Sequence, residues 1–159
     1  MEFTVYTDGG CSGNKRDAGC IGGFGYLILD PAGTVLSEGG GKRTNVTNNM
    51  MEMLAVIEGL GQLKELLNEE FGGAEKHDCI VATDSKYVCE NYEDYVPEWK
   101  KNGWRKSNKS PVLNKELWIE MDKLTPDFHS FRFKWVKGHA KSKYNNRADE
   151  IVQQYMRSG

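Results

Sequence analysis

The sequence has four cysteines, Cys11, Cys20, Cys79 and Cys89, and no CxxC pair among them, so the spacing of a zinc site is missing. A chain of 159 residues builds a core without disulfides, and these thiols read as reduced, in a cytoplasmic compartment. No apolar run approaches the roughly 18 residues of a membrane span, which speaks against a membrane partner. Near the N-terminus no basic segment is followed by an apolar one, so no signal peptide is expected. Internal repeats and low-complexity linkers are missing too. A strong charge of either sign is also lacking: the formal net charge is −2 and the pI about 6.0. A polyanionic partner must therefore meet a local basic patch rather than an overall field. Finally, no Asp-rich loop of the EF-hand kind occurs, which excludes a calcium buffer.

What is present is ordinary in bulk. Hydrophobic residues are 38% and charged residues 28%, values that fit one soluble domain over residues 1–159. Strand-like runs fall at 3–7, 20–29 and 34–39, with the turn Asp30-Pro31-Ala32-Gly33 before the third; their short spacing predicts an antiparallel meander. The glycines of 19–25 predict bulges or a close backbone approach. From Asn48 to about Leu67, Leu54, Ile57, Leu60, Leu63 and Leu67 recur at helical steps, with Thr47 or Asn48 as N-cap. A short buried-type strand at 78–83 and a helix from Lys86 follow. A segment rich in Lys and Trp spans 95–118, and a helix covers 117–124. An alternating strand, 131–136, leads to a last helix from about Asn146 to Met156. Three strands, a helix, then strands alternating with helices give an α/β fold: a mixed sheet flanked by helices.

Two strands end alike, on Val5-Tyr6-Thr7-Asp8 and Val81-Ala82-Thr83-Asp84. One such carboxylate alone could cap a turn or be one ligand of a site completed elsewhere. If the strands are parallel neighbours, both acids emerge at one edge of the sheet. Glu52, in TNNMMEM, and Asp149, in NNRADE, stand at helix starts. Asp149 at such a place could also serve the helix dipole. Four converging acids repel, and burying them without cations is prohibitively costly. A set made only of oxygen donors favours Mg²⁺ or Mn²⁺ over zinc.

Five stretches in order now carry a family resemblance: TDGGCSGN (7–14), TNNMMEMLAVIEGL (47–60), TDSKYV (83–88), KWVKGHA (134–140) and NNRADEIV (145–152). With them the chain resembles a type 1 ribonuclease H over nearly its whole length. The resemblance implies the ribonuclease H-like fold, with a five-stranded sheet whose first three strands are antiparallel. It also implies an endoribonuclease that hydrolyses the RNA strand of an RNA–DNA hybrid, leaving 5′-phosphate and 3′-hydroxyl ends. By the same resemblance Asp8, Glu52, Asp84 and Asp149 bind two Mg²⁺ ions, for which Mn²⁺ substitutes, and Asp8 touches both. His139 falls on the family's mobile-loop histidine and assists proton transfer to the leaving group or product release.

Asn14, Asn48 and Asn49 match positions that contact nucleic acid, and short amides suit the 2′-hydroxyl that separates RNA from DNA. Thr47 with Asn14 resembles a pocket for a DNA-strand phosphate. The stretch 95–109 resembles the family's basic protrusion, with Trp99, Lys100, Lys101, Trp104, Arg105 and Lys106 at its centre, where cations beside flat rings suit a phosphate backbone. Trp99 and Trp104 are expected to shape this protrusion, and Trp118 and Trp135 to lie in the core. Lys86 stands where relatives often carry Gln, in reach of a phosphate, and Asn146 where many carry an acid near the second metal. The rivals are a hybrid-binding module with weak or no turnover and another ribonuclease H-like nuclease, such as an integrase or 3′-exonuclease. A monomer is the expected state.

Overall fold

Strand pairing fixes which chain segments meet. In the computed structural model, which describes residues 1–12, 20–106, 112–137 and 143–157, five strands form one sheet in the order β3-β2-β1-β4-β5. They are β1 (Glu2–Ser12), β2 (Cys20–Leu29), β3 (Val35–Val46), β4 (Asp78–Thr83) and β5 (Ser130–Trp135). The first three are antiparallel, while β4 runs parallel to both β1 and β5. The helices are α1 (Asn48–Glu70), α2 (Lys86–Asp94), α3 (Val96–Lys101), α4 (Lys115–Leu124) and α5 (Lys143–Arg157). No described helix is long and apolar enough to cross a membrane.

Strand alternation sends side chains to two faces. Phe3, Val5 and Ile28 pack with Met53, Val56, Leu60 and Leu63 of α1, and Trp118 and Met121 of α4 join that core. Leu27 and Leu29 face the other way, onto Ala148 and Ile151 of α5. The sheet is thus sandwiched between α1 and α5. The glycines of β2 make the second contact close: a Cβ at Gly25 would meet Ile151, and one at Gly23 would meet the Val152 carbonyl.

Thr47 caps α1, its Oγ1 accepting the Met50 N–H at 3.2 Å. The helix ends before Gly72 and Gly73, whose φ of +84° and +127° suit residues without a side chain. Ser85 caps α2 by accepting the Val88 N–H at 3.2 Å. Two tethers hold α5 to the sheet side of the molecule. Tyr144 donates its hydroxyl to the Gly33 carbonyl at 2.9 Å, and Arg147 forks onto Glu38 at 2.7 and 2.9 Å.

Four expectations from local sequence need correction. β1 does not stop at Asp8 but runs to Ser12, because β2 continues to pair with it as far as Ser12↔Ile21. β3 runs past 39 to Val46, its three successive glycines lying against β2. Asp149 is not at a helix start: α5 already includes Lys143, about two turns earlier, beyond the first-turn reach of the helix dipole. Trp135 is not in the core. It is 45% exposed, whereas Trp118 is fully buried.

Candidate active site

The convergence of acids follows from register. The parallel ladder of β1 and β4 runs from Glu2↔Asp78 to Tyr6↔Ala82. Two residues further, the same register sets Asp8 beside Asp84, just where β4 ends and its ladder with β1 has stopped. Glu52 comes down from α1, whose early turns lie directly on β1. That approach depends on Gly9: a Cβ there would collide with the backbone of Met51 and Glu52. Without one, the Gly9 N–H donates to Glu52 Oε1 at 3.0 Å. Nearby, the Cys11 N–H donates to Asn48 Oδ1 at 2.7 Å, a second tie between β1 and the start of α1.

Overpacking against fixed backbone costs about 1–3 kcal/mol. Gly9→Ala is therefore expected to lower the thermal midpoint by several degrees and to displace Glu52 along with β1. Thermal unfolding followed by circular dichroism reads this directly, and an unchanged midpoint would contradict the close approach.

Asp8, Glu52 and Asp84 each offer a carboxylate oxygen, and these oxygens all lie within 4.8 Å of one another. Asp149 is outside that triad, but its side chain reaches Asp8. It faces a cleft of about 170 Å³ that Asp8, Asp84, Asn146 and Gln153 also line. Asp8 is thus the hub, in contact with Glu52 on one side and Asp149 on the other.

The cluster is electrostatically uncomfortable. Burial, followed by the charges of Asp84 and Asp149, pushes the Asp8 carboxyl up from 3.8 to about 7, with only the Gly9 N–H acting against them. Burial, followed by the charges of Asp8 and Asp84, pushes Glu52 well above the ordinary carboxylate range. Hard oxygen donors held this close together fit divalent cations of the magnesium kind. The donor set and its spacing therefore pass as a metal site.

The other residues singled out by sequence are distributed around this centre. Thr47 and Asn48 are exposed at the head of α1 and Asn49 is half-buried there. Thr47 and Asn48 spend one side-chain oxygen each on the internal bonds given above. Lys86 is exposed, its ammonium 5.0 Å above the Trp135 ring. Trp99 is half-buried, stacked on Tyr95 at 5.7 Å and tilted against Trp118 at 6.3 Å. Trp104 is half-buried with φ +63°, its N–H donating to the Trp99 carbonyl at 2.6 Å. Lys100 pairs with Asp122 at 3.0 Å. Lys101, Arg105 and Lys106 are exposed. Asn14 and His139 lie outside the described residues.

Two neighbours of the acids escaped sequence reasoning. Trp135 donates its indole N–H to the Asp84 carbonyl at 3.1 Å, and Thr83 Oγ1 lies 3.4 Å from Glu52 Oε2. The signal for Thr83 was present in the two matching strand ends. Trp135, expected in the core, lies exposed beside Asp84 instead.

Against known proteins, the chain matches the ribonuclease H family over residues 1–157. It is similar to a ribonuclease H of Acetivibrio thermocellus, 39% identical over 152 residues that cover 95% of this chain and 92% of that one. Among solved structures, LC9-RNase H1, a type 1 RNase H with the type 2 active-site motif, is 26% identical. It aligns with a TM-score of 0.78 over 96% of this chain and 71% of that one. LC11-RNase H1, solved in complex with an RNA/DNA hybrid, is 22% identical, with a TM-score of 0.71 over 97% and 96% of the two chains.

Proposed function

This chain belongs to the ribonuclease H family, and from that premise we propose that it hydrolyses the RNA strand of RNA–DNA hybrids at the cluster of Asp8, Glu52 and Asp84. The convergence of three carboxylate oxygens within 4.8 Å is the observation that carries this reading. Asp149, which lines the same cleft as Asp84, completes the set that would hold two Mg²⁺ ions, with Mn²⁺ able to replace them. Such ions, when bound, lower the pKa of a water and offset charge on phosphate oxygens.

The protein's own groups divide the remaining work. Asp8, in contact with both Glu52 and Asp149, would serve both ions. Gly9 of β1 orients Glu52 through its N–H. His139 is assigned proton delivery to the leaving oxygen or help in product release, on the resemblance of its GHA sequence. Asn14, Thr47, Asn48 and Asn49 are assigned contacts to the two strands near the cut, where an amide can recognise a 2′-hydroxyl. The hybrid held by the LC11 relative supports this choice of substrate. We further assign the chain to the cytoplasm, as one domain over 1–159 acting as a monomer.

Lys86 and the basic stretch of Lys100, Lys101, Arg105 and Lys106, shaped by Trp99 and Trp104, would supply the phosphate contacts that a net charge of −2 does not. Replacing Lys101, Arg105 and Lys106 together by Ala is expected to raise KM for hybrid while leaving kcat near its starting value. Each lost phosphate contact removes about 0.9 from the log–log salt slope of binding, so the slope should shrink by about 2–3. An unchanged slope would remove the stretch from the interface. The function itself is tested by offering hybrid, duplex DNA, double-stranded RNA and single strands with Mg²⁺ or with chelator. The expected result is cleavage of the hybrid's RNA strand alone, and only with the cation. Equal cleavage of duplex DNA would favour another nuclease, and binding without cleavage would favour a hybrid-binding module.

A further inference from the structure

We propose that Thr83 is a positioning residue that ties the orientation of Glu52 to that of Asp84, an inference that rests on the cation-dependent reading above. Thr83 is the last residue of β4 and is fully buried. Its hydroxyl oxygen accepts the Ser85 N–H at 3.1 Å, closing a turn around Asp84 of the kind that Ser and Thr side chains form. A hydroxyl has one proton, and with its oxygen facing Ser85 that proton points to Glu52 Oε2, 3.4 Å away. This is longer than an ordinary hydroxyl bond, and the hydroxyl is its donor.

Glu52 is therefore addressed at both oxygens, by Gly9 of β1 at Oε1 and by Thr83 of β4 at Oε2. Asp84 is bracketed as well. The Val136 N–H donates to the Thr83 carbonyl at 2.9 Å, and the Trp135 indole N–H to the Asp84 carbonyl at 3.1 Å. One small hydroxyl thus sits where two acids from different elements are aligned. Removing it changes neither the charge nor the number of ligands. It releases one oxygen of Glu52 and the amide beyond Asp84 together.

Three substitutions separate this role from packing. Thr83→Val keeps the shape and deletes the hydroxyl, Thr83→Ser keeps the hydroxyl and deletes the methyl, and Thr83→Ala stands in should Val not fold. Mg²⁺ affinity is read by titration calorimetry without substrate, alongside kcat and KM for hybrid. Partners that orient metal ligands are worth about 10–100-fold in affinity or activity. Thr83→Val is expected to lose that much in Mg²⁺ affinity and in kcat, with KM for hybrid little changed, and Thr83→Ser to stay within about threefold of the parent. Parent-like Mg²⁺ affinity in Thr83→Val would overturn the proposal. So would a Thr83→Ser variant as impaired as Val, because the methyl would then be what matters. Failure of the parent protein to bind the cation or cut hybrid would instead overturn the functional reading on which the proposal rests.

Discussion

Asp84→Asn is expected to lose hybrid cleavage by at least about three orders of magnitude while keeping the fold. A factor of that size corresponds to roughly 4 kcal/mol of transition-state stabilisation, and a missing anionic ligand at the centre of the site accounts for it. Asparagine has the same shape and can still offer an oxygen, but it brings no charge to neutralise a cation. The same substitution removes one cause of the raised pKa values of Asp8 and Glu52. Repulsion inside the cation-free protein falls, so its thermal midpoint should stay level or rise. Loss of activity through unfolding would move the midpoint down. Kinetics and thermal unfolding of this one variant therefore separate a catalytic from a structural carboxylate, and near-full activity would refute the assignment.

The second large effect joins pH and metal. Without a cation, Asp8 titrates near 7 against an ordinary value of 3.8, chiefly through burial and then through the charges of Asp84 and Asp149. Glu52 is shifted in the same direction, by burial and then Asp8 and Asp84. The folded protein thus holds these protons more tightly than the unfolded chain does. For Asp8, stability is fully present below about pH 4 and is lost as pH rises through about 7, and the upward shift of Glu52 acts in the same direction. A divalent cation takes the place of the protons, so its stabilising effect should grow with pH.

Mg²⁺ at a hundred times its dissociation constant adds about 2.7 kcal/mol. For a chain of this size that raises the midpoint by about 5–10 °C. This rise is expected at pH 8, and a rise below about 2 °C at the same Mg²⁺ concentration near pH 5, where protons already occupy Asp8 and Glu52. Equal increments at both values would mean that the ion binds away from the cluster. Calorimetric unfolding with Mg²⁺ and with chelator makes the comparison.

Much of this arrangement was legible in the chain, for identifiable reasons. β4 was bounded correctly at 78–83 because Ile80, Val81 and Ala82 form a run buried on both faces, flanked by polar residues. α1 was visible because its buried leucines keep helical spacing. The pairing of Asp8 with Asp84 was anticipated from two matching strand ends, since parallel neighbours with that pattern deliver both acids to one edge. What local sequence could not carry was the continuation of β1 beyond Asp8. That extension depends on β2 as a partner, and the run GGCS has no strand propensity of its own. Nor could it show why Gly9 is glycine, because the obstacle is the backbone of Met51, more than forty positions away. Trp135 was misplaced for a related reason. Alternation within 131–136 is real, but β5 is the outer strand of the sheet, and at its end Trp135 meets the Lys86 side chain, at the first position of α2, and stays largely exposed.

The most direct test of the account follows backbone amide resonances while Mg²⁺ is titrated into the protein without substrate. The account predicts that the largest saturable changes fall on Asp8, Gly9, Glu52, Asp84 and Asp149, and that Asp84→Asn suppresses them. Changes centred on another part of the surface, or none at these positions at millimolar Mg²⁺, would contradict it.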